Sequence, residues 1–338
     1  MKILVYDVAA ENGGAVTVLK SFYEEFCRDK KNEYIFVLSV CKLEEKPHIK
    51  VLNFPWIKKS PLHRLYFDYF VAGKLVKKFG VDEVLSLQNI ELPHAGVPQT
   101  VYEHNALPFA EYKFRMTEAF RPWFSQQVLG RMMKKSIRRA KKVMVQTNWM
   151  KEEIVRQCRI PANKVEVRFP PVEMLPVKPY HPDQKNPVFF YPANGSAYKN
   201  HRTFLEACKI LQKKGYTNYR VVWTVTGKEN ETIRSLKREA KEKGLPIRFQ
   251  GPMARETLFK LYASSVLVFP SYIETIGLPL LEARHADARI VAADCLYARD
   301  CVGDYERAEF FPPLDSEKLA DLLIRYLKGT KSGFSLEK

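Results

Sequence analysis

Val266-Leu267-Val268-Phe269-Pro270-Ser271-Tyr272-Ile273-Glu274-Thr275-Ile276-Gly277-Leu278-Pro279-Leu280-Leu281-Glu282-Ala283 sets an apolar tetrad ahead of a polar loop and a second, leucine-rich stretch. Its first four residues are a short apolar run of the kind that fills the middle of a parallel sheet. Gly277 permits close backbone approach, and Pro279 suits the first turn of a helix, here expected over 278–285. The reading is therefore strand, loop, helix. Free amides at the helix start form a site for a phosphate. Glu274 lies before that start and Glu282 inside the first turns, so both carboxylates can border one pocket at different depths. Carboxylates there suit vicinal hydroxyls, through charge-assisted hydrogen bonds, or a cation. The plainer reading makes Glu282 a solvated residue favoured by the helix dipole.

The same grammar extends outward in both directions. Strand-like runs at 188–192, 220–226, 247–250 and 289–292 alternate with helical stretches at 201–213, 232–243 and 255–263. In the first half, runs at 3–6, 34–39, 83–87, 99–103, 142–146 and 165–169 alternate with helices near 16–28, 66–79 and 123–141. Such alternation predicts an α/β chain with parallel sheets. Between the halves, Pro170, Pro171, Pro176, Pro179, Pro182 and Pro187 punctuate a region without periodicity, which reads as an extended linker. A chain of 338 residues also exceeds what one core usually organises. The expected domains are 1–170 and 188–338, joined by a linker at 171–187, with the last helix a candidate to pack back on the first domain. Open parallel sheets bind ligands beyond the carboxyl ends of their strands, so two facing Rossmann-like sheets would converge on a cleft.

With 46% hydrophobic and 28% charged residues, the composition is that of a globular protein. Six cysteines are scattered without a CxxC pair or zinc-type spacing, which fits a reduced cytoplasm. The N-terminal apolar run meets Asp7 too early for a signal peptide, and no window reaches the roughly 20 apolar residues of a membrane span. Any membrane contact is expected to be peripheral. The net charge of +17 suits anionic partners of any kind, whether lipid, nucleic acid or small molecule. No P-loop, GxSxG elbow or HExxH helix is present, and no DxD pair stands ready for a divalent ion.

Three further loops follow strands. Tyr191-Pro192-Ala193-Asn194-Gly195-Ser196-Ala197-Tyr198-Lys199-Asn200 leads into a helix; a lone lysine there is ordinarily surface decoration. Asn12-Gly13-Gly14-Ala15 follows the opening strand, where glycines either let amides approach a ligand or simply make a tight turn. Val101-Tyr102-Glu103-His104-Asn105-Ala106-Leu107-Pro108 places a histidine just beyond a strand.

The stretch from Pro270 to Ala283 resembles the signature of glycosyltransferase family 4, in which two glutamates flank a GLP turn followed by LEA. Thr275-Ile276 stands where glycine-phenylalanine is common, and Asp287 and Arg289 replace the usual downstream glycine and proline. The resemblance implies a GT-B fold and a retaining, metal-independent glycosyltransferase that uses no cofactor beyond a UDP- or GDP-sugar donor. It implies that Glu282 holds the nucleotide ribose and Glu274 the donor sugar, with Thr275, Ile276, Gly277 and Leu278 along the donor. The loop ending at Lys199 is similar to the family's diphosphate loop, with Lys199 as the cation on the leaving group and Asn194 where many relatives carry arginine. Gly13 and Gly14 match the N-terminal glycine loop, His104 the histidine that touches the sugar, and Phe249 and Gln250 the place of base recognition. The implied catalytic residues are His104, Glu274 and Lys199. The acceptor would be a glycan or lipid-linked hydroxyl in bacterial polysaccharide, lipopolysaccharide or glycolipid synthesis. Rival readings are a silent nucleotide-sugar or nucleic-acid binding protein, or an epimerase or phosphorylase on the same architecture; nucleic acid is not the expected partner.

The stretch 123–142 is one-sided. Phe124, Val128, Met132 and Met133 recur at helical spacing, among Arg131, Lys134, Lys135, Arg138 and Arg139. It is either an interfacial helix on an anionic inner membrane face or a core helix with a solvated basic side.

Overall fold

The computed structural model describes residues 1–11, 13–183 and 185–329. The chain divides into two compact units, Met1–Val172 and Glu173–Lys338. Each is built on one wholly parallel sheet covered by helices, the two-Rossmann arrangement of the GT-B type.

Unit 1 opens with β1 (Lys2–Asp7), α1 (Gly13–Arg28), β2 (Glu33–Leu38) and β3 (Ile49–Asn53). Helices α2 (Pro61–Tyr66) and α3 (Ala72–Phe79) then carry the chain across the sheet to β4 (Glu83–Ser86) and β5 (Gln99–Glu103). It closes with α4 (Phe120–Phe124), α5 (Gly130–Arg139), β6 (Lys142–Val145), α6 (Asn148–Cys158) and β7 (Val165–Val167). The strand order is β3-β2-β1-β4-β5-β6-β7. Alternation along β1 explains the two layers: Val5 meets Phe22 and Phe26 of α1, whereas Leu4 and Tyr6 meet Phe67, Ala72 and Val76 on the other face. Each large side chain so buried contributes about 1.5–3 kcal/mol.

Two helices differ from their sequence expectations in the same way. The helix expected from 66 begins at Pro61, where Ser60 accepts from the His63 amide at 3.4 Å, and it passes through a π-helical turn at Phe67–Val71. The helix expected from 123 begins at Phe120 and passes through a π-helical turn at Ser125–Leu129. In each turn the extra residue aims one polar side chain inward. Asp68 is buried against Tyr6 and Arg64, and Gln126 spans Phe114 N, Leu107 O and Tyr112 O. A period count of 3.6 slips at such a turn, which is why the starts were misplaced. The edge strand β3 was missed because only its first residue is fully buried.

Unit 2 contains β8 (Val188–Tyr191), α7 (His201–Lys213), β9 (Arg220–Trp223), α8 (Glu231–Glu242) and β10 (Ile247–Phe249). It continues through α9 (Arg255–Tyr262), β11 (Val266–Phe269), α10 (Leu278–His285) and β12 (Ile290–Ala293). Last come α11 (Leu296–Val302), β13 (Ala308–Phe311) and α12 (Ser316–Gly329), the last packing on α7 of its own unit. The order is β10-β9-β8-β11-β12-β13, so the chain reverses direction across the sheet between β8 and β11. Residues 168–183 carry neither helix nor strand, and from Glu173 onward they belong to unit 2. Among the described residues no helix is long and apolar enough to cross a membrane.

Candidate functional site

β8 and β11 are neighbours, and the chain leaves them toward opposite edges of the sheet, which opens a crevice beyond their carboxyl ends. The loops 192–200 and 270–277 both emerge there. They are sewn together by Tyr272 N donating to Tyr198 O at 3.0 Å and by Asn200 Nδ2 donating to Pro270 O at 3.1 Å. Asn200 takes a left-handed φ of 56°, a conformation asparagine tolerates, and this turns the chain into α7. The Tyr191 hydroxyl donates to Lys199 O at 2.6 Å, which fixes the backbone from which the lysine side chain projects.

That side chain reaches across to the other loop. Lys199 Nζ forms an ion pair with Glu274 Oε1, which also accepts from Ser271 Oγ at 2.7 Å. Both charged side chains are largely buried, so each neutralises the other where water screens little. Lys199 is therefore held by a carboxylate in the structure rather than standing as a free cation, and Asn194 is exposed, its Oδ1 accepting from Ser196 N at 3.0 Å.

Gly277 caps α10 with φ 71°, where any side chain would be strained and its Cβ would stand 3.1 Å from the Tyr297 ring. No side chain caps this helix start. Ile276 is buried, with its carbonyl accepting from Cys301, so only its backbone is offered to a ligand, whereas Leu278 is exposed. Glu282, on the second turn, is only 4% exposed, which rules out the solvated reading. Its Oε2 accepts from Tyr262 at 2.7 Å and its Oε1 lies 3.0 Å from Arg255 Nη1. Phe249 packs edge-on to Trp223, and Gln250 is exposed with its amide donating to Trp223 O at 2.9 Å. Thr275 is half-buried beside Glu274.

In unit 1 the corresponding crevice lies beyond β1, β4 and β5. Asp7 ends β1 buried, with Oδ1 accepting from Ala10 N at 3.1 Å; burial pushes its pKa up to about 7. Glu103 ends β5 fully buried, with Oε1 accepting from Asn105 N at 3.0 Å, and burial drives its pKa well above the usual carboxylate range. The His104 amide donates to Asn89 Oδ1 at 2.7 Å, which ties the β4 and β5 loops together. Burial lowers the pKa of the His104 ring, partly opposed by a contact to the Leu87 backbone. A neutral imidazole offers one donor and one acceptor, the complement of a hydroxyl. Gly13, with φ 59°, and Gly14 begin α1 with open space around both; Asn12 lies outside the described residues.

The basic stretch divides into two kinds of side chain. Met133 is 5% exposed and belongs to the core, while Phe124, Val128 and Met132 face outward. Arg131, Lys135, Arg138 and Arg139 are exposed, Arg138 also donating to Cys158 O at 3.1 Å, while half-buried Lys134 donates to Gln157 at 2.8 Å. Sequence reasoning missed a second apolar surface in the same unit, where Leu62, Leu65, Tyr66, Tyr69 and Phe70 stand exposed, Leu62 at 75%. The loop between β4 and β5 touches both helices, Glu91 N donating to Ser136 on α5 at 3.1 Å and the His94 ring meeting Tyr69. Also missed were Ser271, Arg255 and Tyr262, the partners of the two glutamates. Ser271 lay within the stretch from Pro270 to Ala283; nothing in the sequence links Arg255 or Tyr262 to Glu282.

Comparison with known proteins agrees with the two units. Residues 12–174 match the family described as Glycosyltransferase Family 4, and residues 177–336 match Glycosyl transferases group 1. Over 228 residues the chain is 24% identical to the O-antigen chain mannosyltransferase B of Escherichia coli, a match spanning 64% of this chain and 58% of that protein. Among solved structures, the lipopolysaccharide outer core galactosyltransferase WaaB superimposes with a TM-score of 0.69 at 18% identity, covering 97% of this chain and 91% of that one. HepE of Anabaena, solved with UDP-glucose, superimposes with a TM-score of 0.64 at 16% identity, covering 98% and 91%.

Proposed function

Because the chain belongs to the glycosyltransferases, a Family 4 domain followed by a group 1 domain, we propose that it transfers a sugar from a nucleoside diphosphate sugar to an acceptor hydroxyl, with retention of anomeric configuration and without a metal ion. The observation that carries this reading is the Lys199–Glu274 pair set beside the uncapped start of α10. A diphosphate entering there meets a cation and free amides, and Lys199 passes from Glu274 to the phosphate oxygens as negative charge builds on the leaving group. Glu274, released from its pair, accepts from hydroxyls of the sugar, and Glu282 accepts from those of the ribose. His104 orients the sugar as a neutral hydrogen-bonding group. With no carboxylate assigned as nucleophile, the acceptor attacks from the face the diphosphate leaves, and a phosphate oxygen takes its proton.

Free nucleoside diphosphate and an elongated acceptor are the expected products, formed equally well in EDTA, from UDP- or GDP-sugars. An intact diphosphate with an altered sugar would establish an epimerase instead, and a requirement for inorganic phosphate a phosphorylase.

The similarity to O-antigen and outer-core transferases supports a glycan or lipid-linked acceptor in bacterial surface polysaccharide synthesis. The outward Phe124, Val128 and Met132, joined along the same helical stretch by exposed Arg131, Lys135 and Arg139, support docking of unit 1 on an anionic inner membrane face. Each such charge contributes about 1 kcal/mol near an anionic leaflet. Reversal of those three, which leaves the Lys134 and Arg138 contacts intact, is expected to abolish co-sedimentation with phosphatidylglycerol vesicles. Equal binding by the folded variant would make these helices purely structural.

A further inference from the structure

Arg255 joins two things that no assignment above connects. Its Nη1 lies 3.0 Å from Glu282 Oε1, and its Nη2 donates to Glu173 O at 2.6 Å. Glu173 is the first residue of unit 2, directly after the boundary at Val172. The segment that follows is held along the same surface, by the His285 ring to Leu175 O at 3.1 Å and by His181 N donating to Ala263 O at 2.7 Å. The guanidinium lies over the Phe259 ring, which fixes its plane. One planar, two-armed group thus grips a buried carboxylate with one arm and the start of the connecting segment with the other.

We propose that Arg255 is a positioning residue that couples occupancy of Glu282 to the order of the connector at 173–175. The proposal rests on the reading that Glu282 binds the donor ribose. Glu282 is held on one side by the Tyr262 hydroxyl and on the other by Arg255, so Arg255 sets the orientation in which the carboxylate meets the ribose hydroxyls. A ligand that immobilises Glu282 immobilises the guanidinium, and with it the Glu173 carbonyl. By linkage, whatever orders the connector also favours nucleotide binding. A lysine could satisfy Glu282 as a point charge but could not fork to both partners.

The test measures UDP and GDP affinity by calorimetry, and amide exchange of the peptide spanning 172–175 with and without the tighter nucleotide. Wild type, Arg255→Ala, Arg255→Lys and Glu282→Gln are compared, each checked for folding by circular dichroism. Nucleotide should slow connector exchange in wild type. Arg255→Ala should bind roughly tenfold more weakly, as expected for a lost contact to a charged group, and lose that protection. Arg255→Lys should recover much of the affinity but not the protection. The proposal is overturned if wild-type exchange ignores nucleotide, if Arg255→Lys restores protection, or if Arg255→Ala binds as wild type while Glu282→Gln does not. If Glu282→Gln binds as wild type, or wild type binds neither nucleotide, the ribose reading itself falls and takes this proposal with it.

Discussion

Both units carry buried or half-buried carboxyl groups at or after the carboxyl ends of parallel strands, yet treat them in opposite ways. In unit 2, Glu274 and Glu282 each have a cation and a hydroxyl, Lys199 with Ser271 and Arg255 with Tyr262. In unit 1, Asp7 and Glu103 receive backbone amides on one oxygen, and the other oxygen of each is buried without a hydrogen-bond partner among the described residues. Burial favours the neutral acid: at Asp7 it outweighs the opposing amide bond and the attraction of Arg64 and Lys58, at Glu103 the amide bond alone, and both pKa values rise. The same α/β grammar therefore yields one crevice with ion pairs in place and one whose buried acids hold their protons more tightly than exposed carboxyl groups do. Strand ends supply positions; the partners decide the chemistry.

The largest test of this contrast removes a cation. Lys199→Ala is expected to lower turnover about a hundredfold to a thousandfold, the usual effect of deleting one preorganised charge donor. It also leaves Glu274 buried and unpaired, so the variant should melt below wild type. Lys199→Ala combined with Glu274→Gln should recover the melting temperature but not the turnover. Recovery of both would mean that the pair is structural.

A second test titrates unit 1. Asp7 has an ordinary pKa of 3.8, raised to about 7 in the fold. Between those values the unfolded chain has released a proton that the folded chain keeps, so stability falls as pH rises through that window and is level outside it. Asp7→Asn keeps the acceptor for Ala10 N and should remove this part of the slope. Its melting temperature relative to wild type should be about 10 °C higher at pH 8 than at pH 4, at about 1.4 kcal/mol per pH unit of the window and roughly 2–4 °C for each kcal/mol in a unit this size. Parallel curves for the two proteins would refute a raised pKa at Asp7. In unit 2 the sign is reversed, because burial pulls His201 from 6.5 down to about 3, so its contribution is lost as pH falls through that range.

The smallest effect concerns a hydroxyl. Tyr262→Phe removes one neutral donor from Glu282, worth about 0.5–1.5 kcal/mol, and should weaken nucleotide binding only a few-fold because Arg255 remains. A loss as large as that of Glu282→Gln would mean that the tyrosine, not the arginine, orients the carboxylate.

Much of this molecule was legible in the order of its residues. Strand-like runs of four or five residues at 3–6, 99–103, 188–192 and 266–269 marked strands and located the loops that matter, because local chain geometry requires only local sequence. Gly277 and Pro279 announced the start of α10 for the same reason. Periodicity failed at the two π-helical turns, where the inward placement of Asp68 and Gln126 depends on partners elsewhere in unit 1. It also could not distinguish Met133, which faces the core, from Met132, which faces out.

Charge state lay wholly beyond the sequence. Lys199 and Glu274 are 75 positions apart and meet only because β8 and β11 are hydrogen-bonded neighbours. Arg255 reaches Glu282 from a different helix, and Asp7 and Glu103 titrate above the ordinary carboxylate range because packing removes water from them. Strands, turns and helix starts were readable along the chain, since those preferences belong to neighbouring residues. Which carboxyl groups carry charge was decided by the tertiary structure alone, because desolvation and ion pairing depend on groups that only folding brings within a few ångströms.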